Sequence, residues 1–242
     1  MPCLPLFPLL MLVPGLPVPA PAPSLDVILT RHFEARGGLA RIHALRGIVS
    51  TGHVSVGGVT LALLVVNPRG AFRSDTTYQG LTKTEAFDGR QGWIIDPFAG
   101  APDPRPMDAA QLRQVRLQAD FDGPFVAWRA KGHRVSFLGM ADVNGVPAYA
   151  LKVHLAGGGE LTSFLDAKSF LEVKAINEAV ADGKTVVVET RLSDYRPVAG
   201  VLLPFRLEVR PQGQAEAMVI QFDTVTAEAV ADPSIFRQPA KP

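Results

Sequence analysis

The sequence predicts a mainly β protein: a curved, antiparallel, unclosed half-barrel of about ten strands, opened by one N-terminal helix and covered mid-chain by a helical lid or plug. Three observations predict it. Apolar and polar residues alternate with period two through most of the chain beyond Ile48. Turn dipeptides (Gly57-Gly58, Asp88-Gly89, Asn144-Gly145, Asp182-Gly183) punctuate those runs at hairpin spacing. Hydrophobic residues make up 47% of the chain and aromatics only 7%, so the core has to be assembled from aliphatic side chains on many short elements.

No charged side chain precedes Asp26, and the Leu/Pro-rich stretch from Leu4 to Val13 reads as a signal peptide over residues 1–23, which predicts export to a periplasm. That run is too short and too proline-rich to span a bilayer as a helix. The single cysteine, Cys3, lies inside this leader, so the mature chain is expected to carry neither disulfides nor a thiolate metal site. Residues 24–242 show no compositional break and are expected to form one domain.

Ser24 is placed to cap a helix with Leu25, Ile28, Leu29 and Phe33 on one face, ended by Gly37-Gly38. A shorter helical piece follows over Leu39–Leu45. Strands are expected over 48–56, 59–66, 71–78, 81–87 and 91–95, with Asp88-Gly89 forming a two-residue type I′ turn. The proline-rich stretch Asp96–Pro106 is expected to be a long loop, because proline supplies no donor to a ladder. Asp108 then caps a helix over Ala109–Ala119, and Pro124 starts a shorter one through Trp128. Alternation resumes at His133 and continues in successive runs to Phe222.

Twenty-four Lys and Arg against 23 Asp and Glu leave a formal charge of +1, so no field points to nucleic acid. His32, His43, His53, His133 and His154 are scattered without the spacing of a zinc site. There is no Gly-x-Ser-x-Gly elbow, and Gly157-Gly158-Gly159 lacks the lysine and helix of a phosphate loop. Asp88, Asp96, Asp103, Asp108, Asp120 and Asp122 are the available carboxylates for acid–base work, and nearly all sit where turns or caps use them. The chain is therefore read as a binding protein and not an enzyme, with no cofactor and no metal.

A curled sheet has an apolar concave face that must meet itself, the helices or a guest. Alternation points Val135, Phe137, Tyr149, Leu151, Val153, Leu203 and Phe205 inward. Trp93 and Ile95 on a strand, and Phe121, Phe125 and Trp128 near the mid-chain helices, complete the candidate lining of a lipid cavity. Burying ten acyl methylenes contributes about 8 kcal/mol before ordering costs, so an apolar half-barrel alone can hold a lipid. Arg129, Lys131, His133 and Arg134 form a basic stretch, read either as a solvated strand opening or as a contact for an acidic group.

The segments Asn67-Pro68-Arg69-Gly70-Ala71-Phe72-Arg73, Ala86 through Pro97, Val143 through Tyr149 and Asp194 through Pro204, in that order, resemble the LolA/LolB-type periplasmic lipoprotein-localisation superfamily, including proteins described as outer-membrane lipoprotein-sorting. The resemblance spans most of residues 25–238. It implies an unclosed barrel with helices over a hydrophobic interior, a monomer, acylated lipoprotein or lipid as cargo, and envelope membrane proteins as donors or acceptors. An envelope-sensing or protein-interaction module on the same fold is the alternative. The sequence departs from the superfamily at Asn67, where well-studied carriers place an arginine that controls the lid.

Overall fold

The structure, a computed structural model, describes residues 23–181, 184–228 and 232–239. The expected leader, with Cys3, and the Asp182-Gly183 turn lie outside the described residues.

Ser24 caps α1 (Leu25–Ala35), its hydroxyl accepting from the Val27 amide, and Gly37 and Gly38, both with positive φ, turn the chain into α2 (Leu39–Ala44). Six strands follow as a meander: β1 (Gly47–Val56), β2 (Val59–Pro68), β3 (Phe72–Tyr78), β4 (Leu81–Phe87), β5 (Gly92–Asp96) and β6 (Ala101–Pro106). After α3 (Ala109–Ala119), a second meander comprises β7 (Arg134–Val143), β8 (Val146–His154), β9 (Glu160–Asp166), β10 (Glu172–Ala181), β11 (Lys184–Val198), β12 (Val201–Pro211) and β13 (Met218–Ala227). All lie in one 13-stranded sheet, ordered β6-β5-β4-β3-β2-β1-β13-β12-β11-β10-β9-β8-β7. Neighbours pair antiparallel, the two meanders join where β1 pairs with β13, and β6 and β7 remain as edges. The mainly β, unclosed architecture is thus as the sequence predicts, with more strands than expected.

The proline-rich stretch is not simply a loop. Pro97–Ala99 form a 3-10 turn capped by Asp96, and Ala101–Pro106 pair with β5 as an edge strand. An edge tolerates Pro102, Pro104 and Pro106 because one side of the strand needs no donors. The expected helix over 124–128 is also absent: Gly123 and Ala127 have positive φ, and the chain proceeds by turns to Gly132. The Asp88-Gly89 connection is a four-residue loop in which the Asp88 carboxylate accepts from the Arg90 and Gln91 amides, replacing the type I′ geometry. Two-residue turns with both φ positive occur at Gly57-Gly58 and Asn144-Gly145, as read, and also at Gln79-Gly80 and Ala199-Gly200.

Curvature follows from the position of α3. This 11-residue helix touches β10 on one side and β3, β4 and β5 on the other. In a flat sheet β3 and β10 would lie roughly 29 Å apart at ordinary strand spacing, farther than a helix of this length or width reaches. The sheet therefore curls around its helical layer. Three apolar clusters fill the concave side. Under α1, Ile28 and Leu29 pack on Leu151, Val153, Leu165 and Phe125. Ile42 and Leu45, from α2 and its end, meet Val126, Val201, Leu203 and Phe205. Beneath α3, Val115 and Ala119 meet Phe72, Phe87, Ile94 and Met107.

Candidate functional site

Alternation places most of the predicted lining residues beneath the helices. Phe125, Trp128, Val135, Phe137, Tyr149, Leu151 and Val153 belong to the cluster under α1, and Phe121, Leu203 and Phe205 to the one under α2. In this conformation they touch the protein's own helices, so that part of the concave face is plugged. Trp93 is elsewhere. Its indole N–H donates to the Phe236 carbonyl at 2.8 Å, and Arg73, beside the same ring, donates to the Ile235 carbonyl. The C-terminal turn Pro233–Phe236 is thus clipped to the face opposite α3. Ile95 shares that face by strand alternation, while Ile94, absent from the sequence reading, packs under α3.

Two openings flank α3. The larger, of about 420 Å³, is bordered by Arg113, Arg116 and Leu117 of α3, by Lys131 and His133, and by Leu155 with the glycine turn that follows β8. Its volume is that of an ordinary small-ligand pocket. The smaller, of about 190 Å³, lies between α3 and β4–β6 and contains Lys83 with Glu85 at 3.1 Å and Asp96 at 3.3 Å. Ala110 and Gln114 border both, so α3 lies as a bar across the mouth of the groove. Only Leu112, Val115 and Ala119 tie its apolar side to the sheet. The helix is nonetheless well begun, by a capping box between Asp108 and Gln111.

The segment leaving α3 is held by polar side chains. Asn67, at the end of β2, donates to the Gln118 carbonyl at 2.8 Å. Two residues on, Arg69 donates to the Ile42 and Leu45 carbonyls at the end of α2 (2.8 and 2.9 Å), pairs with the Asp122 carboxylate and covers the Phe121 ring. Arg36 donates to the Asp122 carbonyl at 2.7 Å, and Lys131 binds Asp120 and the Gly123 carbonyl. The departure at Asn67 therefore does not leave the lid segment untethered: Asn67 and Arg69 divide the work between an amide and a guanidinium. Arg69 stands in a segment that carries the resemblance, and nothing in the sequence assigns its side chain this role.

Five of the six candidate carboxylates are occupied structurally, and Asp103 lies exposed on the edge strand β6. Asp88 and Asp96 cap turns, Asp108 caps α3, Asp120 pairs with Lys131 and Asp122 with Arg69. The basic stretch divides: Lys131 and His133 face the larger cavity, whereas Arg129 lies over Trp128 and reaches Asp26. Among the described residues there is no grouping of metal ligands and no helix long and apolar enough to cross a membrane.

His32, on the buried side of α1, bonds the Phe170 carbonyl through Nδ1 at 2.8 Å. Burial drives its pKa from 6.5 down to about 4, with the carbonyl opposing and Arg36 adding to the fall. Glu172 has the opposite displacement: burial raises its pKa, against its bond to Ser163 and the charge of Arg36. For His32 the unfolded chain takes up its proton first as pH falls, so its contribution is complete above about pH 6.5 and declines toward pH 4, by up to about 1.4 kcal/mol per pH unit. Between pH 7.5 and 5.0, urea titrations of wild type should show about 2 kcal/mol more loss of stability than those of His32→Gln, the Glu172 contribution being common to both. Parallel pH profiles would contradict this assignment.

No family model matches the chain, and no curated relative does. Solved structures do. A LolA superfamily protein from Nitrosomonas europaea superposes with a TM-score of 0.58 at 14% identity, covering 89% of this chain and 98% of that one. The chain has the LolA-type fold. An outer-membrane lipoprotein-sorting domain from Vibrio parahaemolyticus gives a TM-score of 0.60 at 10% identity over 86% of this chain and 95% of its own. A DUF1329 family protein from Desulfovibrio piger gives 0.58 at 10% identity, over 89% and 98%. In the LolA-type fold of this chain the sheet, the helical cover and the two gaps beside α3 are the features a ligand would meet.

Proposed function

We propose that this chain is an exported periplasmic binding protein for acylated cargo, a lipoprotein's acyl chains or a free lipid, held on the concave face beneath α3. It acts as a monomer, as one domain over residues 24–242 behind a leader over 1–23, and exchanges cargo with envelope membrane proteins. The observation that carries the reading is the thinly anchored bar of α3 over a groove whose cavity of about 420 Å³ has Leu117 and Leu155 in its walls. Leu155 also packs on the cluster under α1, so the cavity wall continues into the aliphatic face of β7–β9. Lifting α3 would uncover Phe72, Phe87, Ile94 and Met107, a cost that an acyl chain entering beside the helix offsets by about 0.8 kcal/mol per methylene buried.

Delipidated mature protein should bind a fluorescent fatty-acid probe saturably. Leu117→Asp should weaken that binding by at least about tenfold, since a carboxylate in the wall of an acyl site costs more than 1.4 kcal/mol. Absence of saturable binding by wild type, or unaltered binding by Leu117→Asp, would refute the proposal.

A further inference from the structure

The larger cavity is not lined like a purely apolar tunnel. Its lip carries two arginines on one helix, Arg113 and Arg116, one turn apart and both exposed. Neither has an ion pair among the described residues, although Arg116 also lies 5.9 Å from the centre of the Phe87 ring. The acidic groups around the same opening are largely engaged: Asp120 by Lys131 at 2.6 Å, and Glu160 by Lys152 at 2.6 Å and His154 at 2.9 Å. Glu178, exposed on the opposite wall, is the remaining carboxylate. His133 accepts from the Ala156 amide through Nδ1, which leaves its other ring nitrogen as a donor in the neutral ring. Burial and Lys131 lower its pKa, favouring that neutral form.

Below this lip the walls turn apolar. Leu117 is one turn along α3 from Arg113, and Leu155 faces the same space from the end of β8. Cationic forks at the rim and aliphatic walls beneath make an amphipathic site. Guanidinium groups suit the planar oxygens of a carboxylate or the oxygens of a phosphate, which they bind in pairs.

We infer that the cavity beside α3 selects amphiphiles with an anionic headgroup, the head held by Arg113 and Arg116 and the chain lying along Leu117 and Leu155. This rests on the lipid-binding reading above and adds the headgroup class to it. Carboxylate and phosphate heads share the chemistry, and the arms of the test separate them.

The test is displacement of a fluorescent acyl probe from the mature protein by chain-matched competitors below their micellar concentrations: dodecanoate, dodecyl phosphate, dodecyl maltoside and dodecyltrimethylammonium. Wild type should prefer one or both anionic competitors over the maltoside by about tenfold, the worth of one charge-assisted hydrogen bond at a half-exposed rim. Dodecanoate alone identifies a carboxylate head, and dodecyl phosphate alone a phosphate. The preference should fall to about onefold in Arg113→Gln/Arg116→Gln and persist in part in Arg113→Lys/Arg116→Lys, with Arg210→Gln as the charge-loss control outside the site. Equal displacement by anionic and neutral competitors in wild type, or an unchanged ratio in the Gln variant, overturns the headgroup inference and leaves lipid binding standing. Failure of every competitor, with no saturable probe binding, overturns the lipid reading itself.

Discussion

Replacing Arg69 with alanine should destabilise the protein by about 2–4 kcal/mol, a far larger loss than removal of a surface cation unpaired among the described residues, such as Arg113, would cause. The reason lies in the inequality of the two partners. The Asp122 side chain is 10% exposed and that of Arg69 40% exposed. Without the guanidinium, Asp122 retains a carboxylate with no counter-charge in contact, and one of its oxygens already has no hydrogen-bond partner. The Ile42 and Leu45 carbonyls lose their donor in the same substitution. Removing the other partner is milder: in Asp122→Asn the arginine keeps both carbonyls and can hydrate its free side. The double variant Arg69→Ala/Asp122→Asn should therefore be more stable than Arg69→Ala alone. Urea midpoints of the four proteins test this, and a double variant no more stable than Arg69→Ala would show that the buried carboxylate is not the source of the cost.

Arg69 also shows where sequence reading stops. The turn Asn67-Pro68-Arg69-Gly70 was visible as a turn, because proline and glycine announce one. The approach of its arginine to the end of α2 follows from the β1–β2 hairpin, which pairs Gly47 with Pro68. That it also meets residue 122 depends on how the chain crosses the sheet after α3, a long-range event without local signal. The same limit explains Trp93. In the run Trp93-Ile94-Ile95 three apolar residues follow one another, so period two has no parity to read. The strand is covered on both faces, by α3 over Ile94 and by the C-terminal turn over Trp93. Elsewhere parity was legible: Tyr149, Leu151 and Val153 alternate with Ala150 and Lys152, and the three share the cluster under α1. The edge strand β6 was hidden by its prolines, which exclude a central strand and permit an edge. Helix starts were legible at Ser24 and Asp108 because capping is local.

The two halves of the sheet meet at one hydrogen-bonded seam, β1 on β13, and a single methyl group there should have the second large effect. At Gly52 the pairing slips by one residue between Thr51 and Gly52, and the backbones close in. A Cβ on Gly52 would lie 2.1 Å from the Gln221 carbonyl oxygen and 2.8 Å from the Phe222 Cα. Both are main-chain atoms in the partner strand, so no side chain can rotate out of the way, and Gly52→Ala should cost about 3 kcal/mol or more. Gly92 makes the contrast: its Cβ would meet the Met107 sulfur at 2.6 Å, the flexible end of a side chain that can repack, and Gly92→Ala should cost less. Gly57→Ala, in open space at φ +56°, should cost only about 1 kcal/mol for its left-handed backbone. Amide exchange distinguishes seam opening from general loosening. Protection in Gly52→Ala should fall first at Val54 and Ile220, which pair across the seam, while the cluster of Leu151 and Leu165 under α1 stays protected. The helices predict that order, since α1 and α2 pack on strands of the second meander and α3 caps the cluster of the first. With the seam weakened, the contact of α3 with β10 and the bonds of Arg69 to the end of α2 remain as ties between the halves. A Gly52→Ala protein of wild-type stability, or one losing protection uniformly, would refute the claim that the bulge requires glycine.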